Sequence, residues 1–180
     1  MLNGGTESPR IYNVRPIVEA NTFIDCHRDI SLGLIERSPN DHTAGIIRNN
    51  FIVRNAGSGG DAAIAVFDSP STKVAYNTTW MNGQYGNAIE IRFADSTGVS
   101  VTNNLSDRRA QNRDGRSSVM SGNVWTAASS WFVSPATGNL HLTASATPAI
   151  DHGLSTGDAP VDWDNQARPS ALHEPGVQLT

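Results

Sequence analysis

Short runs that alternate apolar and polar residues recur along this chain, as in Ile47-Arg48-Asn49 and Val99-Ser100-Val101. A period of two is the mark of a strand with one buried face. A second, longer period lies on top of it. Five times an apolar residue is followed three places later by asparagine: Val18/Asn21, Ile47/Asn50, Val74/Asn77, Val101/Asn104 and Met120/Asn123. These asparagines are spaced by 29 (50−21), 27 (77−50), 27 (104−77) and 19 (123−104) residues. A fixed motif at such a period signals a solenoid. Placed where one strand bends into the next, Asn tolerates left-handed backbone and bonds its own turn. Stacked rung on rung, its amides form a ladder.

The pattern predicts an all-β fold: a right-handed parallel β-helix, a single-stranded solenoid of about five coils with a C-terminal cap. Residues 1–15 read as a leader or N-terminal cap, 16–130 as the coils, and 131–180 as cap and tail. Strands are expected near Ile17-Val18, Phe23-Ile24, Ile30–Leu34, Gly45–Arg48, Phe51–Val53, Ala63–Phe67, Lys73–Tyr76, Thr78–Trp80, Ala88–Phe93, Val99–Val101 and Val119-Met120. A polar excursion from Ser106 to Ser118 interrupts the fourth coil. The stretch from Trp131 onward reads as a cap over the open end of the solenoid, which would otherwise expose strand edges.

Alternation assigns columns. Ile64, Val66, Ile89 and Ile91 point inward. Ser31, Ala65 and Glu90 form one outward column, and Gly33, Phe67 and Arg92 the next. A charge should therefore be tolerated at Ala65 and not at Ile64. On the other strand the outward column is Glu19, Arg48, Ala75 and Thr102. Neighbours in a column lie about 4.8 Å apart, so Glu19 and Arg48 should touch.

Composition narrows the partners. The formal charge of −4 argues against nucleic acid, whose phosphates need a basic surface. No apolar run approaches the roughly 18 residues of a membrane span, and the first twenty residues lack the pattern of a signal peptide. The single cysteine, Cys26, excludes an intrachain disulfide and reads as a buried, inert thiol.

The stretches 18–34, 41–52, Asp68-Ser69-Pro70 and 87–93, together with 132–153 and 162–169, resemble bacterial right-handed parallel β-helix proteins of the pectate-lyase-like superfamily. The resemblance covers roughly Ile17 to Pro169. It implies polysaccharide handling and a secreted or periplasmic setting. Relatives usually have more coils before the one holding Asn21, and the finish at Leu172-His-Glu-Pro-Gly differs from the family's. The chain thus resembles the C-terminal portion of a longer helix. Thin apolar cover before Val18 suggests a homodimer through the first coil.

Two functions follow as expectations. One is a carbohydrate-binding or structural segment for an acidic polysaccharide. The other is a polysaccharide lyase or glycoside hydrolase acting on a uronate polymer. Lyases of this fold need a base and a cation or Arg facing the enolate-like charge. Glu90 and Arg92 project together, and Asp68 flanks the turn at Ser69-Pro70, so these three form the candidate catalytic set. The bland alternative is a surface salt-bridge set. Arg108, Arg109, Arg113 and Arg116 fall within nine positions of the excursion and are the candidate anion-binding group. The alternative is a solvated loop balanced by Asp107 and Asp114. Tyr85 is the aromatic most expected to be exposed for stacking on sugar, whereas Trp125 should be core. His42, beside Asp41, reads as a turn residue ahead of a general base. No cofactor is required, although calcium is compatible with Asp162 and Asp164. A cap salt bridge to Arg168 is the alternative there, and no residue is assigned to a metal.

Overall fold

The computed structural model describes residues 13–36 and 38–168. It is all-β, with parallel strands stacked in sheets in the manner of a β-solenoid. Sheet I holds β2 (Ile17–Glu19), β6 (Ile46–Arg48), β9 (Lys73–Ala75), β12 (Ser100–Thr102) and β15 (Val119–Ser121). Sheet II holds β3 (Thr22–Ile24), β7 (Phe51–Val53), β10 (Thr78–Trp80) and β13 (Leu105–Ser106). Sheet III holds β4 (Ile30–Leu32), β8 (Ile64–Val66), β11 (Asn87–Ile91) and β14 (Arg109–Asn112). A short β1 (Asn13–Val14), inside the stretch read as a leader, pairs with β5 (His42–Thr43). Residues 1–12 and the terminal Leu172-His-Glu-Pro-Gly lie outside the described residues.

The asparagines stack as the spacing requires. Asn21 Nδ2 donates to Asn50 Oδ1 at 3.1 Å, Asn50 to Asn77 at 2.9 Å, Asn77 to Asn104 at 3.0 Å and Asn104 to Asn123 at 3.0 Å. Each acceptor oxygen also takes the backbone N–H of the asparagine before it. Left-handed backbone falls one residue earlier than expected: Ala20, Asn49, Tyr76, Asn103 and Gly122 have φ between 53° and 63°. The Asn itself stays free of that strain and uses its amide to satisfy the bend.

Inside, Ile47, Val74, Val101, Ile52, Ile64, Val66, Ile89 and Ile91 are buried in one cluster, as the alternation predicts. The inward column of sheet II turns polar where Thr79 meets Ser106, and the two hydroxyls bond each other at 2.6 Å. A buried ion pair fixes the link between sheets II and III. Arg54, just past β7, reaches Asp29 Oδ2 at 3.0 Å and the carbonyls of His27, Gly59 and Asp61. Both side chains are fully buried.

The C-terminal third departs from the expected lid over the end. Residues 126–168 fold back along the flanks. An antiparallel hairpin of β16 (Phe132–Ser134) and β17 (Asn139–Leu142) lays Phe132, Leu140 and Leu142 against Phe51, Val53 and Leu105 on the outer face of sheet II. Its tip reaches the first rung, where a Cβ on Gly138 (φ 85°) would come within 2.8 Å of Thr22. Trp163 stacks on Phe51 at 4.8 Å, and His141 edges both rings. Met120, in the inward column of the last rung, remains 37% exposed. The flank gives the larger gain because outward Phe51, Val53 and Leu105 are too apolar to leave in water.

Asn77 sits mid-ladder, fully buried, and Asn21 lies exposed at the edge. Replacing Asn77 by Ala should cost about 2–4 kcal/mol, from several unmade buried hydrogen bonds. The same change at Asn21 should cost under about 1 kcal/mol, and urea denaturation measures both.

Desolvation pushes the Asp29 carboxyl up to about 6, and Arg54 pulls it only part of the way back. A raised folded-state value means that the fold favours the neutral acid. Its contribution to stability is present below about 4, the unfolded range, and is lost as pH rises through about 6. Wild type should therefore lose stability relative to Asp29→Asn between pH 4 and 6.5, with a flat difference above. Urea midpoints across that range test it.

Candidate functional site

Sheet III carries most of the residues singled out for chemistry, and register brings them together. Glu90 on β11 lies opposite Ala65 on β8 and Gln111 on β14. The outward column is present but not exposed: Ser31, Ala65 and Glu90 are all buried. This overturns the expectation that Ala65 tolerates a charge. The cover comes from neighbouring side chains. Tyr85 Oη and Asn87 Nδ2 donate to Glu90 Oε1 at 3.0 and 2.8 Å, and Arg113 donates to Oε2 at 2.8 Å. Both carboxylate oxygens are thus engaged beneath a half-buried phenol. Burial, followed by Glu90, raises the Tyr85 pKa and keeps the phenol neutral. Tyr85 is therefore a bridging group rather than the freely exposed ring expected.

One column along, Phe67 lies between two guanidiniums. Arg28 and Arg92 each stand 5.3 Å from its ring centroid, and Arg92 also stands 4.8 Å from Phe93. Arg28 pairs with Asp61, and Arg92 with Asp114 at 2.8 Å. A guanidinium over a ring face is held there by the ring's quadrupole, and here Asp61 and Asp114 each take one of its donors and leave the others. Arg28, Asp61 and Phe93 went unnoticed as site residues because Arg28 and Asp61 fall in aperiodic stretches.

Asp68 is placed apart. It sits beyond the end of β8, three residues past the partner of Glu90, so about 10 Å along the strand. There it accepts from Asn40 Nδ2 at 2.9 Å and Asp41 N at 2.8 Å, and desolvation raises its pKa. His42 is buried in the same corner, and burial lowers its pKa.

The excursion is not a free loop. Its centre is β14, the fourth strand of sheet III, with Ala110 opposite Ile89. The four arginines are consequently dispersed. Arg113 goes to Glu90. Arg108 donates to the carbonyls of Tyr85 and Asp107 at 3.2 and 2.9 Å. Arg116 reaches the Ala94 carbonyl at 2.6 Å, and Arg109 stays exposed at the start of β14.

Elsewhere, Glu19 and Arg48 touch at 2.5 Å, as the column logic requires. Cys26 is exposed, not buried, with its pKa raised first by desolvation and then by Asp29. Trp125 is half-buried against the main core. Asp164 pairs with His141 at 2.8 Å, while Arg168 lies 4.2 Å from the Tyr76 ring and bonds Asn49. Among the described residues no three His, Cys, Asp or Glu side chains converge to hold a metal.

No family model, no curated protein and no solved structure matches this chain.

Replacing Arg113 by Ser removes the charged partner of a buried carboxylate and should lower stability by about 2 kcal/mol. Arg109→Ser should stay within about 0.5 kcal/mol of wild type. Thermal melts of the two variants separate the bridging arginine from the solvent-facing one.

Proposed function

We propose that this chain is a carbohydrate-binding segment of a right-handed parallel β-helix of the pectate-lyase-like kind, and that it holds an acidic polysaccharide along the outer face of sheet III. The reading is supported above all by the Arg28–Phe67–Arg92 stack. Two guanidiniums flank an aromatic ring on a flat, rigid sheet, and their planar forks match carboxylate or sulfate groups. Arg109 and Arg116 extend the positive edge, since neither is paired with a carboxylate among the described residues. The rungs repeat at about 4.8 Å, so the face offers regularly spaced donors to an extended chain.

Retention on immobilised heparin or alginate tests the reading. Wild type should be retained at low salt and released as salt rises, because exposed charges are screened within about 8 Å at physiological ionic strength. Arg109→Ser/Arg116→Ser should elute earlier with an unchanged melting temperature. Equal retention of the double variant would remove Arg109 and Arg116 from the face, equal retention of Arg28→Ser/Arg92→Ser would remove sheet III as the binding face, and retention insensitive to salt would remove a charged face altogether. Absorbance of unsaturated uronate in the same panel, with and without calcium, separates binding from lyase cleavage.

A further inference from the structure

Sheet I has a recess of its own, distant in kind from the paired arginines of sheet III. The segment 154–161 crosses its outer face and is tied down at three points. Leu154 exchanges hydrogen bonds with Asn103, the Asp158 carbonyl accepts from Arg48, and the Val161 carbonyl accepts from Asn49. Beside this crossing lies an open recess of about 270 Å³. Ala44, Ile46 and Ser71 line it from the sheet and its corner, and Gly157 and Asp158 from the crossing segment. Three cations, Arg15, Arg48 and Lys73, enter the lining against Asp158, and with Glu19 held on Arg48 the local balance is +1 (3−2) in a chain whose formal charge is −4.

The cations are not equally committed. Arg48 gives its Nε to Glu19 and one terminal nitrogen to the Asp158 carbonyl, and Lys73 Nζ bonds Asp158 Oδ1 at 2.7 Å. Arg15 makes no side-chain hydrogen bond or ion pair with any described residue. Its backbone position is unusual too. Arg15, Ala44, Ser71 and Gly98 form a corner column of left-handed residues, with φ of 56°, 53°, 58° and 65°. The other three are small, as left-handed backbone favours. A long cation in that column, over the small side chains of the next rungs, has no partner among the described residues to explain it.

We propose that this recess binds a small oxyanion-bearing ligand: a carboxylate, sulfate or phosphate on a body no larger than one sugar ring. Arg15 supplies the open guanidinium edge. Lys73 and Arg48, already oriented by Asp158 and Glu19, supply the field, which a low-dielectric cleft concentrates. Ile46 and Ala44 offer an apolar floor to the ligand body. A recess of about 270 Å³ has room for about one sugar-sized unit. The proposal stands independently of the reading of sheet III.

The test is a titration of ¹⁵N-labelled full chain at low salt with galacturonate, inorganic sulfate and, as the neutral control, glucose. The amides of Ala44, Ser71 and Gly157 should shift saturably with at least one anion, with a Kd on the order of 1 mM, and not with glucose. Preference for galacturonate identifies a carboxylate on a sugar ring as the source, and preference for sulfate identifies a free tetrahedral anion. Arg15→Gln should weaken binding about tenfold or more while the rest of the spectrum stays unchanged, and Arg109→Ser should leave it intact. The proposal is overturned if neither anion shifts those amides, if glucose shifts them equally, if Arg15→Gln binds as wild type does, or if Arg109→Ser abolishes the effect.

Discussion

At the corner between sheets I and II every rung must turn within two residues, and the asparagine amide makes that turn affordable. The residue before it takes the left-handed conformation and still donates to the next rung, as Tyr76 does to the Thr102 carbonyl. The asparagine N–H that follows has a side-chain acceptor in place of a backbone one: Oδ1 of Asn77 accepts from the backbone and side chain of Asn50, and Nδ2 of Asn77 reaches the Ile47 carbonyl of the rung below. Because the acceptor for each amide is the same amide one rung on, the asparagines also fix axial register. Once register is fixed, Val18 lies on Ile47, Val74, Val101 and Met120, and Glu19 must meet Arg48. A slip of one residue would turn each of these inward columns out.

Register then decides what each outer face becomes. Sheet II presents Phe51, Val53 and Leu105 outward and is covered by the β16–β17 hairpin and Trp163. Sheet I presents mixed side chains and is only crossed by 154–161, which leaves the recess. Sheet III covers itself: Tyr85 and Arg113 close over Glu90, and Arg28 and Arg92 lie on Phe67. The two faces that retain charge are the two that lack an apolar roof, and both functional proposals fall on them.

The periodic part of this architecture was legible in the sequence, since a ladder residue and an inward aliphatic declare themselves by spacing alone. The Glu19–Arg48 contact followed from the same logic. What escaped was aperiodic. The flank packing of 126–168 depends on single matches such as Phe51 with Trp163, which no spacing announces. The burial of Glu90 was missed because its cover comes from the 81–87 turn and from the residue after β14, not from its own column. Cys26 was expected in the core on residue type, yet it falls in the irregular link before β4 and faces solvent. Arg15 and Lys73 gave no joint signal, because they are 58 residues apart (73−15) and meet only through stacking.

Side-chain amide exchange tests the ladder itself. In ¹⁵N-resolved hydrogen exchange, the Nδ2 protons of Asn50, Asn77 and Asn104 should exchange orders of magnitude more slowly than those of Asn21, in step with the core amides of Val74 and Val101. If all four asparagines exchanged at the rate of free primary amides while the backbone of sheet I stayed protected, the ladder would not be what fixes the register of this fold.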